Sequence, residues 1–268
     1  SALPSYFVSR ETRKSVTVAL NGDGGDEAFG GYMRYVAVRL AACFRALPAP
    51  LRKAALALTA PFPEKTAPFN IVWRGRKFLQ AAAQRDMALT YLSTVSFFRL
   101  EEKNALLSNE FKNLAGAELD YAGRYIGALF EKAGGQDLIN RLMYTDLHSY
   151  LPECLMTKMD IASMANSLET RSPFLDQKVL EFAFSLPENM KIRGLGKTKW
   201  LLKETFRDML PPEIYKRGKM GFGIPLGPWF RGELKDYWAG VCLSGKALGR
   251  GYFKKNEMFR LWDEHQNG

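Results

Sequence analysis

Apolar and polar positions alternate between two periods along this chain, and the first switch comes early. Val16 to Leu20 is a short apolar run rich in β-branched residues, which predicts a buried strand. It breaks into Asn21-Gly22-Asp23-Gly24-Gly25-Asp26-Glu27. After that, Ala28, Phe29, Tyr32, Met33, Tyr35 and Val36 fall on i, i+3, i+4 spacing and predict a helix. Asp23 or Asp26 is the expected cap. Gly30-Gly31 would lie inside that helix at roughly 1 kcal/mol each relative to alanine, which implies close packing there. Residues 1–14 read as a helix entering the strand, with Pro4 in its first turn.

Downstream the pattern is helical almost throughout. The helix after the acidic stretch continues until Pro48, Pro50, Pro61 and Pro63 cut the chain into short pieces. Amphipathic segments follow at 70–83, 86–98, 108–115 and 118–132, with Phe97, Phe98 and Phe130 as expected core. Beyond Gly134-Gly135, further helices are expected over 136–151 and 153–167. The second has apolar residues around most of its circumference and should be largely buried. Pro173 pushes Ser172 towards extended backbone, and Asp176 is a natural cap for a helix over 177–185. A loop over 187–196 leads to a helix over 197–210, stopped by Pro211-Pro212. The tail carries helical stretches with Trp238, Phe253, Phe259 and Trp262 as anchors. The expected architecture is predominantly α-helical with one or two parallel strands.

Composition narrows the chemistry. The chain has 268 residues, 47% of them hydrophobic, enough for one large or two small domains. Lys and Arg number 38 against 28 Asp and Glu, a net charge of +10 that suits anionic partners. Cys43, Cys154 and Cys242 share no close spacing, which suggests neither a disulfide framework nor a zinc site and favours a reducing cytoplasm. With only His148 and His265 present, a His-based metal site or a Ser-His-Asp triad is disfavoured. No apolar run is long enough to span a membrane.

Two stretches carry candidate chemistry. The first places Asp23, Asp26 and Glu27 among glycines at the carboxyl end of a strand, where open α/β sheets bind ligands. Crowded carboxylates repel unless a cation lies between them, and the fitting ion is Mg²⁺ shared with phosphate oxygens. The alternative is a solvated acidic turn. The second stretch is Tyr215-Lys216-Arg217-Gly218-Lys219-Met220-Gly221-Phe222-Gly223, where cations on a glycine-rich loop could fold over phosphates or simply face water. Lys158 stands in an apolar setting, as an ion-pair partner or as a cation near a phosphate. Glu169 and Arg171 flank a turn and either pair with each other or point into a site.

VALNGDGGDEAFGGYMRY resembles the "SG(E/D)G(G/S)DE-F-GGY" segment of glutamine-dependent asparagine synthetases, with Asn21 where that pattern has serine. DLHSYLPECLMTKMDIASMANSLETRSPFLD is similar to their "D-YLPDD-L-K-DRASMA-SLE-R-PFLD" block. KTKWLLKETFRDMLPPEIYKRGKMGFGIPLGPWF is similar to "K-LLR-----LP--I--R-KQGF--P---W". The three blocks come in family order, while residues 40–135 match only as generic helices.

The resemblance implies an α/β fold of the adenine nucleotide alpha-hydrolase-like, PP-loop ATPase type, with residues 1–268 the C-terminal portion of the ATP-dependent domain. It implies ATP and Mg²⁺ as cofactors, aspartate as substrate, a β-aspartyl-AMP intermediate and ammonia from glutamine. By position, Asp23 and Lys219 would be catalytic. Asn21, Gly22 and Arg217 would contact ATP, and Asp26 and Glu27 would hold Mg²⁺ and pyrophosphate. Lys158, Glu169 and Arg171 are weaker candidates for substrate or nucleotide contacts. The glutaminase domain and the SGG-D-S pyrophosphate loop are not in this sequence, so the chain alone is expected neither to hydrolyse glutamine nor to turn over. Family relatives also amidate peptide or sugar carboxylates or close β-lactams, so the acceptor stays open, and a homodimer is one expected assembly. The competing expectation is a basic helical nucleic-acid-binding module, although the cations are scattered rather than striped.

Overall fold

The computed structural model describes residues 1–59, 75, 78, 79, 81–84, 86–216 and 223–267. The chain divides into two compact units, Ser1–Cys43 with Ile126–Ile224, and Phe44–Tyr125 with Pro225–Gly268.

The first unit is built on a two-stranded parallel sheet. Helix α1 (Ala2–Arg13) leads into β1 (Val18–Leu20), which pairs with β2 (Glu169–Arg171) in the register Val18 with Glu169 and Leu20 with Arg171. Parallel strands need a long crossover, here supplied by the helices between them. The run Val16–Leu20 is a strand but not a buried one: Val18 is 41% and Leu20 73% exposed. With β2 as its sheet neighbour among the described residues, β1 leaves its second edge and one face uncovered, whereas parallel strands are ordinarily buried on both faces.

After β1, α2 (Gly25–Phe29) and α3 (Met33–Arg45) are separate helices. Gly24, at φ 87°, caps α2 without any side-chain bond, so neither Asp23 nor Asp26 is the cap. Gly30, at φ 64°, ends α2, so the glycine pair breaks the expected helix rather than sitting inside it. The expected close packing is present: a Cβ on Gly30 would stand 3.1 Å from Ile192 and 3.2 Å from Lys191.

The core of this unit gathers Ala28, Phe29 and Ala183, with Phe174, Leu180, Leu186 and Leu202 packed against them. A helix over Leu138–His148, capped by Asp137, buries Ile139, Leu142 and Met143. A π-helical turn, Leu151–Met156, then runs into the helix Thr157–Met164. That helix is not buried around its circumference as expected. It packs on α1, and the buried positions are small, Ser5 and Ser9 on α1 and Ala162 and Ser163 opposite. Close approach through small residues leaves the larger Ile161 and Met164 outside.

Asp176 caps Gln177–Ser185 by accepting from the backbone N–H of Lys178 (2.9 Å) and Val179 (3.3 Å), as expected. The helix expected over 197–210 shortens to Trp200–Thr205. Its first turn is lost to a bridge between Arg193 and Lys197 and to Lys199, which adopts φ 51°.

The second unit is helical. Asp86 caps Met87–Val95 and Ser108 caps Asn109–Ala115. Leu100–Leu106, not anticipated from the pattern, is fixed by Glu102, which accepts from the Arg99 N–H at 2.8 Å. Most of the expected helix over 70–83 lies outside the described residues. Phe97 is fully exposed rather than core, because it falls in the bend between two helices. The helices Leu226–Arg231, Lys235–Cys242, Gly245–Gly249 and Lys255–Asn267 follow, with Trp238 and Trp262 stacked at 4.4 Å.

Candidate active site

The pairing of β1 with β2 brings two distant segments to one place. Past its last strand residue, β1 extends by one more bond, the Asn21 N–H donating to Arg171 O at 2.9 Å. This sets Asn21 beside Ser172. The Ser172 hydroxyl donates to Asn21 Oδ1 at 2.5 Å, and the Asp23 N–H donates to the same oxygen at 3.3 Å. Asn21 Nδ2 in turn donates to Asp23 Oδ2 at 3.0 Å. Asn21 thus folds the loop over its own backbone and fixes the Asp23 carboxylate at the carboxyl end of the strands. Among the described residues nothing lies within 4 Å of the position a Cβ on Gly22 would take. Burial pushes the half-buried Asp23 carboxyl up, and the positive charge of Lys158 opposes the shift.

One turn further, Asp26 and Glu27 part company. Asp26 pairs with Lys199, Nζ to Oδ1 at 3.0 Å. The pair needs a bare neighbour: a Cβ on Gly31 would come within 1.8 Å of Asp26 Oδ1 and 2.3 Å of Lys199 Cε. Glu27, expected beside Asp26 at one ion, is instead buried, with Oε1 accepting from the Tyr32 hydroxyl at 2.5 Å. Successive helical residues point about 100° apart, and here one faces a lysine and the other the interior. Burial raises the Glu27 carboxyl, with the Tyr32 bond opposing.

Behind this turn lies a saturated polar layer. Asp146, fully buried, accepts from Arg34 Nη2 at 2.7 Å and from the Tyr35 hydroxyl. The Arg34 guanidinium lies 3.5 Å from the centre of the Tyr32 ring and 4.6 Å from that of Tyr150. Lys191, also fully buried, donates to Asn140 Oδ1 and to Leu186 O.

Among the weaker candidates, Glu169 and Arg171 pair with each other at 2.7 Å on exposed strand positions, one of the two expected outcomes. Lys158 is half-buried and acts on Asp23 electrostatically. Arg217 and Lys219 lie outside the described residues. Lys199 was not anticipated from sequence. Its signal was its place at the head of the KWLLK segment, within a block matched above.

The donor set suits Mg²⁺, which takes one or two carboxylates and completes its shell with water and phosphate oxygens. No group of three metal-ligating side chains occurs among the described residues. Asp23 and Asp26 offer hard oxygens on one short turn, and Lys199 offers a cation for an anionic ligand.

The asparagine synthase family profile matches residues 1–268. This chain belongs to the asparagine synthase family. The match brings with it the family's PP-loop type of α/β fold, of which the two parallel strands and flanking helices are described here. The chain is similar to asparagine synthetase [glutamine-hydrolyzing] 1 of Bacillus subtilis (strain 168), 30% identical over 265 residues, covering 99% of this chain and 39% of that protein. A Mycobacterium bovis relative is 32% identical over 268 residues, with 99% and 38% covered. Asparagine synthetase [glutamine-hydrolyzing] of Mus musculus is 40% identical over 86 residues, 30% of this chain and 15% of the relative. The chain spans about two fifths of the length of the relatives it matches end to end. Among the described residues no helix is long and apolar enough to cross a membrane.

Proposed function

We propose that a protein carrying this chain amidates aspartate to asparagine at the expense of ATP, through β-aspartyl-AMP, with ammonia drawn from glutamine. Family membership supports the reaction class. The observation that carries the reading is the hydrogen-bonded cluster of Asn21, Asp23 and Ser172 at the carboxyl ends of β1 and β2, one helical turn from the Asp26–Lys199 pair.

In the first step a β-carboxylate oxygen of aspartate attacks the α-phosphorus of ATP, and pyrophosphate leaves. Charge builds on the departing oxygens, where Lys199 and, by family position, Lys219 and Arg217 would neutralise it. Asp26 would hold Mg²⁺, which would add charge neutralisation at the pyrophosphate. Lys199 then serves as a partner that holds Asp26 in place until the ligand arrives. In the second step ammonia attacks the acyl carbon, AMP leaves with the bonding pair, and the nitrogen gives up a proton. Asp23, its basicity raised by burial and tempered by Lys158, would take that proton. Asn21 and Gly22 would contact the nucleotide. Glu27 has no part in this scheme beyond holding the turn.

Pyrophosphate release from aspartate, ATP and ammonia tests the reading. Lys219→Ala and Asp26→Ala are each expected to lower the rate at least about 100-fold. Unchanged rates in both, or equal rates with a panel of unrelated carboxylates, would overturn it.

A further inference from the structure

The second unit contains a cavity that the proposed amidation does not use. It has a volume of about 320 Å³ and is lined almost wholly by apolar side chains. Trp238 and Trp262, stacked face to face at 4.4 Å and within 5° of parallel, both line it, and the His265 ring stacks on Trp262 at 6.2 Å. Phe98 and Phe253, 40% and 42% exposed, are further lining residues that keep apolar surface in contact with water. The polar exception among the lining side chains is His265, whose Nε2 is buried and has no hydrogen-bond partner among the described residues.

The cavity opens to solvent past Phe98 and Phe253, and an apolar cavity of about 150 Å³ already accommodates a benzene ring. Polar contacts outside the cavity fasten its lining elements. Met258, Trp262 and His265 lie on one face of the helix Lys255–Asn267 by their spacing. That helix is fastened by Gln266 Nε2 donating to Phe230 O at 3.0 Å. A β-bridge between Leu107 and Phe253 fixes the far wall. A buried imidazole nitrogen without a partner is a rarity that calls for a ligand or an ordered polar group.

We propose that this cavity binds a small planar, mostly apolar molecule carrying one hydrogen-bonding group, with the ring packed among the lining aromatic side chains beside the Trp238–Trp262 stack and the polar group on His265 Nε2. Pockets for small molecules have this make-up: apolar and aromatic walls, a few hundred Å³, and a single polar group that fixes orientation. An imidazole nitrogen pairs with a hydroxyl or an N–H in one tautomer and with a carbonyl in the other. The site prefers such molecules over purely hydrocarbon rings of the same size.

The test is a ¹⁹F NMR titration of the whole chain with 4-fluorophenol and with fluorobenzene. 4-Fluorophenol is expected to saturate a single site, about tenfold more tightly than fluorobenzene. His265→Phe should bring the two probes to within about twofold of each other, because it removes the polar contact and keeps the walls. Leu106→Trp fills the cavity and should abolish binding of both while far-ultraviolet circular dichroism stays unchanged. Absence of saturable binding, or equal preference before and after His265→Phe, would overturn the proposal. So would a dimer in sedimentation that excludes both probes, since a second copy would then occupy the site. Should Leu106→Trp fail to fold, the His265→Phe comparison decides alone.

Discussion

The two sides of the turn after β1 are made from the same residue types and behave differently. In front, Asn21, Asp23, Ser172 and the Asp26–Lys199 pair are half-exposed. Behind, Glu27, Tyr32, Arg34, Tyr35 and Asp146 form a layer in which the carboxylates are satisfied from within. Lys191 repeats the pattern with Asn140 and a backbone carbonyl. The difference separates two costs. A buried charge already paired supports the fold and has little left for a ligand. A half-exposed one adds little to the fold and keeps its capacity for chemistry.

Substitution can break or sharpen that contrast. The largest loss should follow Asp146→Ala, which leaves the Arg34 guanidinium buried without its carboxylate and should cost about 3–5 kcal/mol in denaturant unfolding. Lys191 comes next and leaves a mark in pH. Burial lowers its pKa from 10.5 to about 8, with Asp137 opposing. The native state therefore gives up this proton first as pH rises. Between pH 8 and 10.5 the unfolded chain binds more protons, so wild-type stability should rise across that window and sit lowest beneath it, by on the order of 1–3 kcal/mol. Lys191→Met should flatten that rise, which unfolding curves at stepped pH would show.

Smaller still is Tyr32→Phe, which strips Glu27 of its donor and should cost about 1–2 kcal/mol by the same measurement. At the far end is Asp23→Asn, expected to shift unfolding by less than about 0.5 kcal/mol. Its effect belongs in the assay instead: pyrophosphate release should persist, while asparagine formation falls at least about 100-fold. If Asp23→Asn destabilised the protein as much as Asp146→Ala, the contrast between front and back would fail.

Local rules in the sequence carried the strand near Val18 and the glycine loop after it, the cap at Asp176, the extended Ser172 and the dominance of helix, while the helix expected through Val36 divides at Gly30-Gly31. Each depends on residues within a few positions of one another. The same is true of the family blocks, which marked Asn21, Gly22, Asp23 and Asp26. Lys199 escaped because its backbone turns left-handed where the periodicity continues a helix, and because its partner lies 173 positions upstream. Glu27 was misjudged for a related reason: adjacency in sequence suggested a shared ion, but a helix turns neighbours apart. The helix Thr157–Met164 misled because apolar content was read as burial, whereas the packed side is small.

What the chain's order of residues settled by itself was conformation and chemical type: where backbone turns, which groups are charged, and which glycines stand where no side chain fits. Tertiary structure alone decided which of two adjacent carboxylates faces outward, that Ser172 meets Asn21 across 151 positions, and that tryptophans and a histidine enclose an apolar cavity. Periodicity and capping are short-range effects that a sequence displays directly. Burial and pairing depend on which surfaces come to lie against each other, and that is fixed only when the whole chain has packed.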